Sequence, residues 1–244
     1  MKRKTVCITG SSRGIGRAAA LKFAFSGYDV VISSRNSKND LEKTRQEIER
    51  CGAKCLAFFG DMGNADDCKR MMEEIEKEFS SLDVLVNNAG ISYIGLLQEM
   101  KDEEWNQLMQ TDLNSAFYLS RLSIPLMLKQ GYGKIINISS VWGNVGASCE
   151  TAYSAAKGGI NALTKALAKE LAPSDIQVNA IAMGAIDTSM NAFLTPAEKE
   201  ALLEEIPAGR MGTPEEAADF IFTIAEAGPY LTGQIIGFNG GWQC

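Results

Sequence analysis

The sequence predicts a doubly wound α/β fold, a parallel sheet with helices on both faces. Three observations carry that prediction. Short β-branched runs alternate with longer helical segments from Thr5 to Phe238. A glycine-rich turn falls between the first strand and the first helix. The 244 residues, 45% of them hydrophobic, are enough to bury the core of one large domain.

The elements follow in order. Strands are predicted at 5–9, 30–33, 54–59, 84–86, 134–138, 177–181 and 234–238. Helices are predicted at 15–26, 40–50, 65–79, 103–129, 152–171 and 214–225. The 103–129 helix carries Pro125 near its end. The last helix opens with Thr213 as N-cap, Pro214 in the first position and Glu216 two residues on, a strong start signal. Strands joined through helices must be parallel, and their crossovers right-handed. The expectation is a Rossmann-type, seven-stranded parallel sheet in a single domain, 1–244. Residues 188–210 interrupt the alternation and contain an amphipathic piece, Pro196–Glu205. That segment is expected to lie over the open end of the sheet, as a lid.

Composition excludes several classes. The net charge of −6 argues against nucleic acid as a partner. Met1-Lys-Arg-Lys4 is followed by an apolar run of only Val6 to Ile8, too short for an export signal. No run approaches the length of a membrane helix, so a cytoplasmic protein is expected. The six cysteines, Cys7, Cys51, Cys55, Cys68, Cys149 and Cys244, form no C-x-x-C pair and are expected as reduced thiols. Histidine is absent, which removes Ser-His triads and most zinc sites; no metal is expected. The chemistry must use Tyr, Lys, Ser, Cys or carboxylates.

The glycine turn reads Gly10-Ser11-Ser12-Arg13-Gly14-Ile15-Gly16. Gly10 allows the sharp turn, Gly14 lets the backbone approach a pyrophosphate, and Gly16 lets helix and strand pack closely. The helix N-terminus presents free N–H groups to the phosphates. A glycine triplet alone is a weak signal, but its place between strand and helix is the context that supports a dinucleotide. Sites for NAD usually carry an acid at the end of the second strand. Here the chain reads Ser33-Ser34-Arg35. Arg13 and Arg35 suit a 2′-phosphate through charge-assisted, forked hydrogen bonds, which favours NADP(H).

The glycine turn, Asn87-Asn88-Ala89-Gly90 after the fourth strand, Ser140 thirteen residues before Tyr153, and Tyr153-Ser-Ala-Ala-Lys157 together resemble the short-chain dehydrogenase/reductase family. The resemblance covers nearly the whole chain, including Asp61-Met62 after strand three and Gly240-Gly241 near the end. It implies that Asp61 and Met62 contact adenine, that Asn88, with Ala89 and Gly90, lies along the cofactor, and that Ile186 and Thr188 cover the nicotinamide carboxamide. The chain is most similar to the 3-oxoacyl-thioester reductases of fatty acid biosynthesis, which implies a homotetramer.

Tyr153 and Lys157 stand four apart on a predicted helix and share a face. A free tyrosine has a pKa of about 10, and a neighbouring ammonium is expected to lower it. Tyr153 then donates a proton to the nascent alkoxide as hydride arrives. Ser140 ends strand five, where its hydroxyl can stabilise the substrate oxygen. Alternation along a strand sends Ser139 to the other face, and the family spacing selects Ser140. Lys157, by the resemblance, also holds the nicotinamide ribose.

Two positions depart from the family. Asp112 stands where the family places the Asn that supports a water chain to the lysine. An acid there can hold a backbone water or pair with Lys157. Asn114 does not substitute, because two residues turn a helix by about 200°. Met183-Gly184 replaces the family's Pro-Gly after strand six and is expected to loosen that loop.

The substrate is expected to be a small or carrier-bound carbonyl compound. Carrier-protein reductases often carry arginines flanking the site entrance; the matching positions here are Gly131 and Ser174, with Lys129 and Lys134 as possible compensation. Trp142, Cys149 and Glu150 lie in the stretch that lines the family's substrate pocket. Glu150 favours a cationic substrate, as in the similar reductases acting on a 5-aminopentanone group carried by elongation factor P. Three readings therefore stand: a 3-oxoacyl-thioester reductase, an amino-ketone reductase, and a non-catalytic NADP(H) sensor.

Overall fold

In the computed structural model, residues 3–79 and 81–243 are described. Met1, Lys2 and Cys244, which enter the readings above, lie outside them. Strands β1 (Thr5–Ile8), β2 (Asp29–Ser34), β3 (Cys55–Phe59), β4 (Val84–Asn87), β5 (Gly133–Ser140), β6 (Ile176–Met183) and β7 (Ile235–Phe238) form a seven-stranded sheet in the order β3-β2-β1-β4-β5-β6-β7. Every pairing is parallel. β6 is buried along all eight residues, as a strand covered on both faces must be.

Helices α1 (Gly14–Phe25), α2 (Lys38–Arg50), α3 (Ala65–Glu78), α4 (Asp102–Met109), α5 (Ser115–Gln130), α6 (Trp142–Val145), α7 (Thr151–Leu171), α8 (Pro196–Glu205) and α9 (Pro214–Glu226) connect the strands. α1, α2 and α9 cover one face, where Phe23, Ile48 and Ile221 pack on Val6, Ile32 and Ile136. α3, α5 and α7 cover the other, where Met71, Leu119 and Leu171 pack on Val31, Leu85 and Ile135. Alternation along each strand divides its side chains between these two layers.

Local chemistry sets several boundaries. Asn64 caps α3 by accepting from the Asp66 and Asp67 amides. Thr213 and Glu216 form the capping box that the sequence predicts for α9. Gly131, at φ +80°, ends α5 in the left-handed conformation and returns its N–H to Met127.

Three expectations are corrected. The predicted 103–129 helix is interrupted: a π-turn, Gln110–Asn114, separates α4 from α5. Such a bulge is a single turn inside a longer helix, too short to show a period of its own. α6 was not expected; four residues are too few to show a helical pattern. Pro196–Glu205 does form a helix, but none of its residues is buried, so the predicted amphipathic face does not sink into the core. Among the described residues no helix is long and apolar enough to cross a membrane. Cys7, Cys51, Cys55, Cys68 and Cys149 carry free thiols.

Candidate active site

Between β1 and β4 the strand order changes direction, and a crevice opens beyond the carboxyl ends of the strands. A cleft of about 740 Å³ occupies it, running from Arg35 past Gly14 to Tyr153 and Trp142. Nearly every residue singled out from the sequence lines this one cleft, Ser12, Ile15, Met62, Ala89 and Ile186 among them. Ser11 and Asp112 do not.

Ser11 corrects a cofactor-binding expectation. It is fully buried; its hydroxyl donates to the Ile8 carbonyl at 2.5 Å and accepts the Ser33 amide at 3.1 Å. Its own N–H is taken by the Ser33 carbonyl at 2.9 Å. Ser11 therefore bolts the glycine turn to β2.

The rest of the turn fits a dinucleotide. Gly10 and Gly14 adopt φ of +65° and +56°. A Cβ on Gly16 would stand 2.4 Å from the Gly10 carbonyl oxygen, the close approach expected of the third glycine. No side chain caps the α1 N-terminus and no acid occupies its first turn, so its amides are open to phosphate. The Ser33 hydroxyl, buried and without a partner, lines the cleft beside them. Arg13 and Arg35 stand at this end, and Arg35 is oriented by Asp61 at 3.4 Å. Asn88 holds the turn as well as lining the cleft: its amide donates to the Thr9 carbonyl at 2.8 Å and the Gly10 carbonyl at 3.2 Å. Thr9, which the sequence reading passed over, accepts the Asn88 and Ala89 amides on its hydroxyl. These residues fit a nicotinamide dinucleotide, with room and donors for the phosphates.

At the other end three side chains converge. Ser140, the last residue of β5, accepts the Trp142 amide at 3.2 Å and faces the phenol of Tyr153. Ser139 turns to Asn161 on α7, donating at 2.6 Å, as strand alternation requires. Lys157, one turn after Tyr153, holds its ammonium 5.4 Å from the Tyr153 ring centroid and donates to the Ile138 carbonyl at 3.1 Å. Its other neighbour is Asp112, with Oδ2 at 3.2 Å. Both members of that pair are buried.

The electrostatics reverse one expectation. The sequence predicts that Lys157 lowers the Tyr153 pKa. Burial raises it, Lys157 opposes, and the charges of Asp112 and Glu150 add to the rise, so Tyr153 ends above its ordinary value. Burial lowers Lys157, but Asp112 and Tyr153 outweigh this and hold it above its usual range. Burial raises Asp112 against the pull of Lys157 and of the Ile91 amide.

The Met183-Gly184 stretch is tied to its neighbours through the backbone. The Met183 carbonyl accepts the Val141 amide at 3.0 Å, and the Gly184 amide donates to Phe238 at 2.9 Å. The carrier positions do not flank the cleft. Lys129, Gly131, Lys134 and Ser174 lie around the amino ends of β5 and β6, at the opposite edge of the sheet, and Lys134 is engaged by the Ala227 carbonyl.

The substrate end holds residues that no local pattern announced. Trp142 meets Trp242 edge to face, with centroids 4.8 Å apart. The Trp242 indole donates to Glu205 of α8 at 3.3 Å. One hundred residues separate the two tryptophans, so only the closing of the chain reveals them as neighbours. Glu150 lines the same space, its carboxyl raised by burial and steadied by Trp142; Cys149 does not line it. From the 188–210 segment, Thr188, Met190, Phe193 and Leu202 wall the cleft.

Comparison with known proteins agrees with this geometry. Residues 4–199 match the family model for short chain dehydrogenases. The chain is 41% identical over 239 residues to the 3-oxoacyl-acyl-carrier-protein reductase FabG of Staphylococcus aureus, covering 98% of this chain and 97% of that one. A short-chain type dehydrogenase/reductase from Mycobacterium marinum superposes with a TM-score of 0.92 at 34% identity, covering 99% and 96% of the two chains. A protein described as a "putative NAD(P) dependent gluconate 5-dehydrogenase", from Beutenbergia cavernae and with NADP bound at low occupancy, superposes with a TM-score of 0.91 at 33% identity, covering 98% and 96%.

Proposed function

The chain belongs to the short-chain dehydrogenase family, and from that premise we propose that it is an NADPH-dependent reductase converting a ketone to a secondary alcohol, with a 3-oxoacyl thioester as its substrate. The observation that carries this reading is the convergence of Ser140, Tyr153 and Lys157 at the end of a cleft that also holds the glycine turn. Bound NADPH supplies the hydride. Ser140 donates a hydrogen bond to the ketone oxygen and stabilises the charge that develops there. Tyr153 donates its phenolic proton to the same oxygen. Lys157 donates one N–H to the Ile138 carbonyl, stands as an ion pair beside Asp112, and keeps N–H donors for the nicotinamide ribose.

The preference for NADPH rests on Arg13 and Arg35 and on the absence of an acid in Ser33-Ser34-Arg35. The relative with NADP bound supports it. The thioester reading rests on the likeness to the Staphylococcus aureus reductase. The reading includes a single catalytic domain and a cytosolic location, with the homotetramer that the family resemblance implies. Residues 188–210 act as the lid over the substrate end.

A second reading has one observation of its own. Glu150 lines the cleft beside Trp142, and a carboxylate framed by aromatic rings suits an ammonium. The alternative substrate is an amino-ketone on a modified protein, of the elongation factor P type. A non-catalytic sensor is disfavoured, because a sensor has no need of Ser140, Tyr153 and Lys157 together.

The test is NADPH oxidation with a short 3-oxoacyl thioester, with NADH and Tyr153→Phe as controls. Turnover with NADPH that disappears in the Phe variant supports the reading. NADPH binding with no turnover rejects the thioester and turns the search to cationic ketones.

A further inference from the structure

Asp112 is carried into the site by the π-turn between α4 and α5. Its Oδ1 accepts the Ile91 amide at 2.8 Å, which fixes the carboxyl plane. Its Oδ2 meets no hydrogen-bond donor in good geometry and stands 3.2 Å from the Lys157 ammonium. Gly90 leaves room for the pair: a Cβ there would stand 2.8 Å from Asp112 Oδ2 and 3.4 Å from Lys157 Nζ. The charged or titratable groups that face Tyr153 are Lys157, Asp112 and Glu150; those that face Lys157 are Asp112 and Tyr153.

We propose that Asp112 is a positioning residue whose carboxylate neutralises Lys157 and thereby keeps the Tyr153 phenol protonated, so that ketone reduction holds its plateau into alkaline pH. A lone ammonium beside a phenol favours the phenolate. Paired at 3.2 Å with a buried carboxylate, the ammonium exerts much less net field on Tyr153. The phenol is the form that reduction needs and the phenolate the form that alcohol oxidation needs. Raising the ionisation point therefore extends reduction upward in pH and delays oxidation by the same interval. Burial is the main cause of the rise in the Tyr153 pKa, Lys157 opposes it, and the charge of Asp112 adds to it.

The inference rests on the reductase reading, but its first test does not need turnover. The near-ultraviolet phenolate absorbance of the full chain, minus that of Tyr153→Phe, follows Tyr153 alone as pH rises. The same difference is taken between Asp112→Asn and Asp112→Asn/Tyr153→Phe. The expected midpoint is at or above the ordinary value of about 10 in the parent, and lower by on the order of one pH unit in Asp112→Asn. Asp112→Glu, which restores the charge, returns the midpoint toward the parent's. Equal midpoints with Asp and Asn overturn the proposal, and would mean that Asp112 is itself protonated. If Asp112→Asn does not fold, the parent midpoint decides: a value well below 10 overturns the proposal. Where a 3-oxoacyl thioester is turned over, the alkaline limb of kcat/KM shifts with the midpoint. Failure of turnover with an intact shift would reject the reductase reading and leave the role of Asp112 standing.

Discussion

Ser139 and Ser140 are neighbours in the chain, yet one serves the frame and the other the cleft: Ser139 donates to Asn161 on α7 at 2.6 Å, while Ser140 faces Tyr153. Ser140→Ala is expected to lower kcat by ~10²–10³-fold, the usual cost of one oxyanion donor, without loss of NADPH affinity. Ser139→Ala leaves Asn161 short of a buried partner and costs about 1–3 kcal/mol of stability. Steady-state kinetics and urea unfolding of the two variants separate the roles. Equal kinetic losses would contradict the assignment.

Arg35 stands 3.4 Å from Asp61 at the end of the cleft remote from Tyr153. Arg35→Ala is expected to raise KM for NADPH by roughly 10–100-fold, the worth of a charge-assisted bond. KM for NADH should hardly move. A variant that loses both cofactors equally would place the 2′-phosphate elsewhere.

Gly16 has no space for a side chain: a Cβ would stand 2.4 Å from the Gly10 carbonyl oxygen and 2.5 Å from Asn88 Nδ2. Gly16→Ala must push the turn off β4. The expected result is about 1–3 kcal/mol of destabilisation, with NADPH binding lost in parallel. Fluorescence titration and a denaturant curve measure both, and unaltered binding would show that the turn has slack.

Burial pushes the thiols of Cys7, Cys55 and Cys68 up from 9.0 to about 12. A thiol whose folded value is raised contributes stability that is present below its unfolded value and is lost as pH climbs toward the folded one. Unfolding midpoints in urea should therefore fall between pH 9 and 12. Alkylation mapped by mass spectrometry at mildly alkaline pH should spare the buried Cys7 and Cys68 in the native protein. Their rapid modification would contradict the burial.

Glu150→Gln distinguishes the two substrates. For a cationic ketone the variant should raise KM by about tenfold or more, because a neutral amide cannot compensate an ammonium. For a 3-oxoacyl thioester it should leave KM within about twofold or lower it, since a negative charge leaves the mouth. A null result with an amino-ketone removes the second reading.

Alternating strands and helices, the glycine turn and the Tyr153–Lys157 spacing were enough to predict the sheet, its direction and the two ends of the cleft, while Asp61, Met62, Asn88, Ile186 and Thr188 came from the family resemblance. These features are legible because each obeys a short-range rule: a period of two or 3.6, a turn that needs glycine, a pair one helical turn apart. What the chain order hides depends on contacts between distant segments. The π-turn that turns Asp112 onto Lys157, the meeting of Trp142 with Trp242, and the burial that raises Tyr153 leave no periodic trace. Ser11 carries the same lesson: the motif marks it for the cofactor, yet its hydroxyl and its N–H are held by Ile8 of β1 and Ser33 of β2. Local geometry determines which side chains can share a face, whereas field and solvation sum over everything within a few ångströms, and only the closed fold decides what that is.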